Sequence, residues 1–479
     1  MIWGEAAVVK VVANKKRRHA AGQIKRVHAE GSMVGRIPAS PRLVRVAMPL
    51  LGRFSGVALL LPLLLTAVQG CSRDGGHLAP ADVPARRAAR GETVPQLIAC
   101  REDPLNVKPT ADLRECVTER QLCDALCSAM PMWHPPTVPS LLHELRLWGA
   151  GSSFSRDMVG QDRNGDLIVK TLLSDSLCKK NTAPGDGDYL LDSPFGIFVV
   201  RNGTVDSSGY RGEGHYGQLL MVLAESGVPA SALVTTSSGK TGTVRDLLHD
   251  ALMRYSPNLE QEFIATALAL YLPPGTTSWR NQYDNQYTFE DLSEVLVRTE
   301  HGKGPCGGCH VAYALAVMLR VGDIYPILSP SARDRAHRWL ADLSRVLEDS
   351  QRSTGGWDLN WPAVTKVDYV YGDPCLDRIT VTGHNLEWIA MAPASVRPGR
   401  ETIRRAVIAL LRDVEALPEL GGPRSFKTLL PCSHAARALC LFRGVQAYDA
   451  WRRFASDGRL EYTPKGYRMR SKPSAERSS

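Results

Sequence analysis

Two kinds of helical pattern alternate along the chain from about residue 139 onward, and this alternation limits the fold more than any other feature. One kind is amphipathic, with apolar residues at helical spacing on one face and charged residues on the other; its examples are residues 243–255, 288–300, 331–351 and 399–417. The other kind is apolar on every side; its examples are residues 215–224, 310–319, 384–392 and 434–442. Helices of the first kind pack one face onto a core, and helices of the second kind are buried.

The alternation predicts an all-α fold of the α/α-toroid type, in which inner helices form a ring and outer helices surround it. An irregular helical array and a solenoid of stacked hairpins are the alternatives, and the lack of a fixed repeat period argues against a regular solenoid. The candidate strands are residues 167–173 and residues 195–205, the latter with a turn at Asn202-Gly203. They predict a small β-hairpin inserted ahead of the ring.

Histidines stand at the start of all four apolar segments: His215, His310, His384 and His434. The whole chain has only 12 histidines, so four of them at equivalent places form the strongest internal signal in the sequence. The inner helices of a toroid run parallel, and their N-termini gather at one end of the ring. The four imidazoles are therefore expected to converge around one cavity.

The chemistry expected of such a cavity follows from the helix N-termini. Their positive field disfavours the imidazolium, and a neutral histidine can accept a proton or bind a metal. The same N–H groups favour an anionic ligand. Acidic residues stand close by in the sequence: Glu213, Asp373, Asp377 and Glu387. We therefore predict that the four histidines and Glu387 are catalytic, with capping or packing roles for the histidines as the alternative.

A Cys306-x-x-Cys309 pair directly precedes His310. Such a pair is a weak zinc signal without a second pair of ligands, and a disulfide is the competing interpretation in an oxidising compartment. The two glycines between the cysteines permit a tight turn into the helix.

Residues 48–71 have the order of a bacterial export signal. One basic residue, Arg53, precedes an apolar run that is shorter than the ~20 residues of a comfortable membrane span. The run ends in VQGC, which predicts a lipoprotein signal with lipidation at Cys71; an ordinary cleaved signal or an uncleaved anchor is the alternative. We expect Met48 or a nearby codon to be the start, with residues 1–47 untranslated.

The formal net charge of +9 belongs to one end of the chain. Residues 1–47 hold ten basic and two acidic residues, whereas residues 71–479 hold 47 of each sign and are neutral. The body of the protein therefore has no electrostatic footprint for nucleic acid, and nucleic acid is not an expected partner.

Composition and cysteine content predict the domain organisation. The expected parts are a basic tail at 1–47, an export signal at 48–71, a linker at 72–97, a cysteine-rich cap at 98–137, the toroid at 138–456 and a disordered basic tail at 457–479. Ten cysteines follow Cys71, and an even number in an exported protein predicts disulfides. Their pairing stays open.

Five stretches carry a resemblance to known proteins: residues 138–149, 212–229, 302–320, 350–361 and 382–393. Over residues 138–445 the chain resembles a group of uncharacterised exported bacterial proteins with a predicted α/α-toroid fold of the terpenoid cyclase and protein prenyltransferase type. The resemblance implies the fold and the export, and the group brings no established reaction. The stretch SQRSTGGWDLNW is also similar to the Q…GGW signature of toroid repeats, in which a Trp and a turn brace adjacent helices.

Two enzyme families resemble shorter pieces of the chain. Asp373-Pro374-Cys375 followed by His434 is similar to the zinc ligands of protein prenyltransferase β subunits, which implies zinc at Asp373, Cys375 and His434. The segment TGHNLEWIAMA resembles the GHxxEW segment of sugar 2-epimerases of the N-acylglucosamine type, which implies acid–base roles for His384 and Glu387. The DxDD acid motif of terpenoid cyclases is absent from the sequence, which argues against cyclisation.

We therefore expect an exported, lipid-anchored toroid of the cell envelope that acts on a carbohydrate or another polar ligand by His/Glu acid–base chemistry. The alternatives are a non-catalytic ligand-binding or structural lipoprotein of the envelope and a zinc-dependent prenyltransferase-like enzyme. The expected partners are a small polar molecule or a glycan, and the membrane through the lipid anchor or the signal segment. No resident metal or other cofactor is expected, with zinc as the alternative.

Overall fold

The computed structural model describes residues 97–131, 135–155, 162–185, 187–201, 211–358, 361, 373–417, 426–463 and 466–469. The predictions for the basic tail at 1–47, for the export signal with Cys71 and for nearly all of the linker lie outside these residues. The turn predicted at Asn202-Gly203 also lies outside them.

Fourteen α-helices dominate the described residues, which confirms a mainly helical fold. They are α1 Glu119–Ser128, α2 Val138–Trp148, α3 Gly165–Leu172, α4 Asp175–Asn181, α5 Gln218–Glu225, α6 Val244–Arg254, α7 Glu262–Tyr271, α8 Phe289–Val297, α9 Cys309–Gly322, α10 Pro330–Ser350, α11 Pro374–Met391, α12 Arg400–Glu415, α13 Phe426–Arg443 and α14 Ala447–Ser456. Three short 3₁₀ helices lie at Ala111–Cys116, Pro305–Gly308 and Ala394–Val396.

The described β-structure consists of five antiparallel hairpins, each made of two strands that follow one another in the chain. The strands are β1 Ser153–Phe154, β2 Arg163–Asn164, β3 Leu190–Ser193, β4 Gly196–Val199, β5 Leu233–Thr235, β6 Thr241–Thr243, β7 Ser278–Arg280, β8 Gln286–Thr288, β9 Leu460–Thr463 and β10 Gly466–Met469. No hairpin joins another into a larger sheet within this part of the chain, so the helices supply most of the core, and single strand residues such as Leu190, Ile197 and Trp279 add to it.

The amphipathic patterns mark helices with one buried face. Helix α10 begins where the Ser329 hydroxyl accepts a hydrogen bond from the Ala332 N–H at 3.3 Å, with Pro330 at the first helical position. Its buried side includes Trp339, Leu340, Leu343 and Leu347, at the spacing that the sequence predicted. Helices of this kind place charges toward solvent and one apolar stripe on the core.

The helices with few exposed positions pack on one another in succession. Helix α5 packs on α7, α7 on α9, α9 on α11 and α11 on α13, while α2 packs on both α5 and α13. Four of them, α5, α9, α11 and α13, carry the segments that the sequence predicted to be apolar all round. The pattern missed α2 and α7, although every residue of α7 is buried.

One strand prediction was wrong. Residues 167–173 fall largely in helix α3, because the Asn164 side chain caps its N-terminus by accepting a hydrogen bond from the Leu167 N–H at 2.6 Å. Its buried residues include Ile168, Thr171 and Leu172, which share one helical face. The second strand prediction holds at β4, whose partner is β3.

The cap at 98–137 is held by packing and ion pairs. Helix α1 lies on α13, and Leu122 and Leu126 are fully buried there. Glu119 accepts from the guanidinium groups of Arg443 at 3.2 Å and Arg459 at 2.8 Å. No disulfide is recorded among the described cysteines, and the cap cysteines Cys100, Cys116 and Cys123 carry free thiols.

The chain end at 457–479 was predicted to be disordered, and part of it is ordered. Strands β9 and β10 form an antiparallel hairpin in which Leu460 pairs with Met469. This hairpin packs on α1, so the described part of the tail belongs to the folded body.

Candidate functional site

The four histidines predicted to converge do meet in the core. The His310 ring centroid lies 5.9 Å from that of His215, 4.7 Å from that of His384 and 6.5 Å from that of His434. The His384 and His434 rings are only 3.5 Å apart. Three of the four are almost completely buried, since His310, His384 and His434 are 7%, 3% and 4% exposed.

Their positions in the helices differ from the prediction. His310 is the second residue of α9, as predicted, but His384 and His434 lie well inside α11 and α13, which begin at Pro374 and Phe426. The prediction that all four histidines open their helices was therefore wrong for these two. The field of a helix N-terminus falls off within the first turn and does not act on them.

A glycine brings His384 and His434 together. Gly383 faces α13, and a Cβ at this position would lie 3.1 Å from backbone atoms of His434 and Ala435. The absent side chain lets α11 and α13 approach closely, so the imidazoles of His384 and His434 lie against each other with their planes tilted by 33°.

Sequence reasoning missed a fifth histidine of the cluster. His143, on α2, lies with its ring 5.0 Å from that of His434, in a perpendicular arrangement. Its Nδ1–H donates to the carbonyl of Pro139 at 2.6 Å. The apolar character of residues 138–148, in which His143 is central, was the signal that could have found it.

Burial sets the charge of these imidazoles. It lowers the pKa of His143 and of His384 to about 4. It also holds the pKa of His310 and of His434 well below the usual value. All four are therefore neutral at pH 7, which the sequence had attributed to helix N-termini and which follows from desolvation instead.

Glu387 lies at the centre of the polar interior. Its Oε1 accepts a hydrogen bond from His434 Nδ1 at 2.8 Å, and its Oε2 lies 2.9 Å from Arg146 Nη1 and 3.0 Å from Arg437 Nη1. Burial alone would raise the pKa of Glu387, but the two guanidinium groups and His434 hold it well below its usual range. Glu387 is therefore an ionised carboxylate that fixes the His434 ring with Nδ1–H toward it and Nε2 free to accept a proton.

A second carboxylate completes the array of charges. Glu225 accepts from Arg146 Nε at 2.6 Å, from Arg437 Nη2 at 3.1 Å and from the Tyr313 hydroxyl. Burial would raise the pKa of Glu225 as well, and the two arginines lower it. We call these residues the charged network: Arg146, Glu225, Tyr313, Glu387 and Arg437. Only Glu387 was anticipated from the sequence.

His215 belongs to the edge of the cluster. Its ring stacks on Phe263 at a centroid distance of 4.8 Å, and its Nδ1 lies 3.2 Å from Glu260 Oε1. The neighbouring Glu213 caps α5 by accepting from the N–H groups of Gly217 and Leu219, both at 2.9 Å. His215 is thus held by a carboxylate, as His434 is.

The Gly- and Cys-rich turn ahead of α9 has an unusual backbone. Cys306, Gly307 and Gly308 have consecutive positive φ angles of 51°, 69° and 76°. Only glycine adopts this region without cost, so the conformation of Cys306 is strained. A Cβ at Gly308 would lie 2.5 Å from the carbonyl oxygen of Lys303, which requires glycine there.

This turn brings Cys306 to the histidines. Potential ligand atoms of Cys306, His310 and His384 all lie within 4.8 Å of one another. We call these residues the Cys/His group. The other cysteine of the pair, Cys309, is directed away, and its thiol donates to Asn385 Oδ1 at 3.5 Å.

The zinc ligands implied by the prenyltransferase resemblance are not brought together. Asp373 caps α11 by accepting from the Cys375 N–H at 2.8 Å, and the Cys375 thiol donates to the carbonyl of Asp413 at 3.3 Å. Within the described ranges, the one set of three His, Cys, Asp or Glu residues with metal-binding geometry contains neither Asp373 nor Cys375. Of that predicted set only His434 lies in the cluster.

A pocket of about 420 Å³ reaches the charged network. Arg146, Glu225, Tyr313 and Arg437 line it, together with residues from segments 104–109, 147–151 and 444–449. None of the clustered histidines is among its lining residues. A ligand in this pocket would meet the arginine and glutamate side chains first, with the histidines behind them.

Comparison of the chain with protein-family models, with curated proteins and with solved structures gave no match. Of the helices in the described part of the chain, none combines the length and the hydropathy that a membrane crossing requires.

Proposed function

We propose that this chain is an enzyme that moves a proton on a polar substrate, such as a carbohydrate, by acid–base chemistry at the histidine cluster. One observation carries the proposal: His434 Nδ1 is bound at 2.8 Å to Glu387, an ionised carboxylate, beside a second neutral imidazole. A base whose ring is oriented by a carboxylate is the usual arrangement for general acid–base catalysis.

His434 is the proposed base. Its Nδ1–H points to Glu387, so Nε2 carries the free lone pair, and Glu387 would stabilise the imidazolium formed when a proton arrives. His384 is the proposed acid–base partner. Its Nδ1–H donates to the carbonyl of Thr380 at 2.7 Å, which also leaves Nε2 as the reactive atom. His310 and His215 would complete the wall of the site.

The pocket supports a polar substrate. Its lining contains two guanidinium groups, a carboxylate and a phenol of the charged network, which can bind hydroxyl, carbonyl and carboxylate groups. Such a set of buried charges costs desolvation energy of several kcal/mol per ion and is a poor means of stabilising a fold. Groups with perturbed pKa values that gather at a pocket are typical of a functional site.

The test is solvent proton exchange. The full chain would be incubated in D₂O with separate aldoses, amino sugars and uronic acids, and deuterium incorporation at carbon followed by NMR. We expect exchange with at least one of them, and a rate lower by at least ~100-fold in His434→Gln, which removes the base while both arginines keep Glu387. His337→Gln, on the outer helix α10, is the matched control and should exchange like the wild type.

Two results would contradict this function. One is the absence of exchange with every compound, although the wild-type chain is folded by circular dichroism. The other is an equal rate in His434→Gln and the wild type, which would assign the exchange to another site.

A second candidate is a binding protein without chemistry. The low exposure of His310, His384 and His434, together with their absence from the pocket lining, favours it. It predicts that a sugar or another polar molecule binds, as seen by calorimetry, with no exchange. Arg437→Met would then abolish binding, while His434→Gln would leave it unchanged.

We also propose that the helices form an α/α toroid and that the protein is an exported lipoprotein. The successive packing of α5, α7, α9, α11 and α13, with α2 against both α13 and α5, supports a ring of inner helices. The order of residues 48–71 supports export and lipidation at Cys71. Cys71→Ser should release the protein from the membrane fraction and abolish labelling with a radioactive fatty acid; retention of both would contradict lipidation.

A further inference from the structure

The Cys/His group contains a buried nitrogen atom, His384 Nε2, that has no hydrogen-bond partner among the described residues. The His384 side chain is 3% exposed. Its other ring nitrogen is committed, because Nδ1–H donates to the Thr380 carbonyl at 2.7 Å. A buried nitrogen lone pair without a partner lowers stability, so an occupant for it is expected.

The hydrogen bond of His384 has the form found around bound metals. A histidine that ligates a metal through one nitrogen usually donates its other N–H to a carbonyl or a carboxylate, which fixes the tautomer and the ring orientation. Thr380 plays this part here. The same helix therefore supplies both the ligand and the group that orients it.

The strained turn provides the third atom. Cys306 has a φ angle of 51°, and this backbone directs its thiol to the two imidazoles. The thiol is free, so no disulfide removes it from the group. Three ligand atoms within 4.8 Å of one another are close to a metal-binding arrangement. Zn–S and Zn–N bonds of about 2.3 and 2.0 Å place tetrahedral ligands roughly 3.5 Å apart, so an adjustment of about 1 Å closes the group.

We propose that Cys306, His310 and His384 bind one Zn²⁺ ion. The Cys306 thiol binds as the thiolate and releases its proton to solvent, while both histidines bind as neutral imidazoles. Thiolate and imidazole are the ligands that Zn²⁺ prefers, whereas Ca²⁺ and Mg²⁺ require oxygen ligands. Three protein ligands leave the fourth position to water or to a substrate oxygen, which is the pattern of catalytic rather than structural zinc.

The inference rests on the proposed function only in sharing His310 and His384 with it. In the combined site His384 Nε2 would be a metal ligand and would no longer act as the acid–base partner; the metal would polarise a substrate oxygen, and His434 with Glu387 would move the proton. Metal binding is measured without any substrate, so the two proposals can fail separately.

The experiment is metal titration of the full chain after treatment with a chelator. Zn²⁺ content is measured by mass spectrometry of the element after dialysis, and Co²⁺ serves as a spectroscopic probe because a thiolate ligand gives a charge-transfer band. We expect one ion per chain, with affinity at least ~100-fold weaker and no thiolate band in Cys306→Ser. Cys309→Ser is the matched control, because its thiol is adjacent in sequence but faces Asn385.

Several outcomes would overturn the proposal. They are a folded wild-type chain that binds no stoichiometric Zn²⁺, a thiolate band that survives Cys306→Ser, and an equal loss in Cys309→Ser. A disulfide at Cys306 in protein purified from cells, detected by alkylation and mass spectrometry, would also overturn it. Thermal unfolding of each variant shows whether a loss reflects the site or the fold, and His384→Gln gives a second variant if Cys306→Ser does not fold.

Discussion

The interior contains two polar groups, the charged network and the Cys/His group, and they differ in how completely their atoms are paired. In the charged network each carboxylate oxygen of Glu225 and Glu387 accepts at least one hydrogen bond or ion pair. In the Cys/His group the members are neutral, and His384 Nε2 has no partner among the described residues. Both groups share the helices α9 and α11.

This difference distinguishes polar atoms that the protein itself satisfies from polar atoms that a bound ligand or ion would satisfy. The carboxylates of the charged network are satisfied by the protein itself, whereas Arg146 Nη2, at the pocket, is buried without a hydrogen-bond partner among the described residues. An incomplete set of lone pairs is satisfied only when something binds. The carboxylates of the charged network therefore position His434 and the pocket wall, whereas Arg146 Nη2 and His384 Nε2 are the atoms to which a ligand or an ion could bind.

The largest effect is expected from removing one carboxylate of the charged network. Glu225→Leu leaves two buried guanidinium groups with one carboxylate to share, which should lower the free energy of unfolding by about 3–5 kcal/mol in urea denaturation. Glu401→Leu, whose partner Arg404 is exposed, is the control and should cause no measurable change. Equal stability of Glu225→Leu and the wild type would show that the ion pairs do not hold the core.

The next largest effect on stability is expected at Glu144, a carboxyl group that is buried without a hydrogen bond from the described residues. Glu144 is 1% exposed, neither carboxylate oxygen accepts a hydrogen bond from the residues that the structure describes, and Arg163 Nε lies 3.3 Å away. Burial raises the pKa of Glu144 to about 7, opposite in direction to that of Glu225. The folded state then holds the proton more tightly, so stability falls as pH rises from about 4.5 through about 7, by roughly 3 kcal/mol.

Glu144→Gln should remove this contribution. Urea denaturation at several pH values from 4.5 to 8 would show a flatter stability profile in the variant than in the wild type. Identical profiles would mean that Glu144 is ionised throughout and paired more strongly than its geometry indicates.

A smaller effect on stability is expected at Gly383, where α11 meets α13, because the charged network and the Cys/His group both depend on this contact. Gly383→Ala adds a Cβ that would lie 3.1 Å from backbone atoms of α13, and the helices must move apart to admit it. We expect a loss of about 1–3 kcal/mol in the free energy of unfolding, measured in urea. The separation should also weaken Zn²⁺ binding, because His384 follows Gly383 directly. Gly275→Ala, in an exposed turn where a Cβ would meet no atom within 4 Å, controls for general glycine effects.

The smallest effect on stability should come from the unpartnered imidazole. His384→Phe replaces a nitrogen without a partner by an apolar edge and loses only the bond to Thr380, so stability should change by less than about 1.5 kcal/mol. Metal binding, in contrast, should be lost. A severe loss of stability would indicate that the imidazole is structural, and that the Cys/His group is a core rather than a site.

The sequence could predict the convergence of the histidines because the apolar segments that carry them lie in buried helices that pack on one another. It could not place His384 correctly, since the buried threonines Thr380 and Thr382 interrupt the apolar pattern inside α11. Pro431 and Ser433 interrupt it in the same way ahead of His434 in α13. The apparent start of the segment was therefore not the start of the helix. The neutrality of these imidazoles was expected, but burial is its cause.

The sequence also failed to predict the charged network, and the reason is different. Arg146 and Arg437 stand in apolar helices, where a single arginine has the appearance of a surface residue. Their burial depends on two carboxylates from other helices, and a pairing between distant residues leaves no local pattern. The position of Cys306 beside His310 and His384 could not be predicted either. It depends on a positive φ angle at Cys306, which the neighbouring glycines permit but do not require.

The contact between α2 and α13 has a consequence for the order of folding. Arg437 and Glu225 stand 212 residues apart in the chain, and His143 and His434 are still farther apart. Contacts between residues this far apart in the sequence form late in folding, because closing so long a loop costs conformational entropy. Neighbouring helix pairs can associate while the chain emerges, whereas the cluster exists only after α13 has docked on α2. A chain interrupted before Phe426 would thus contain twelve of the fourteen described helices and all three residues of the Cys/His group, but it would lack His434 and Arg437.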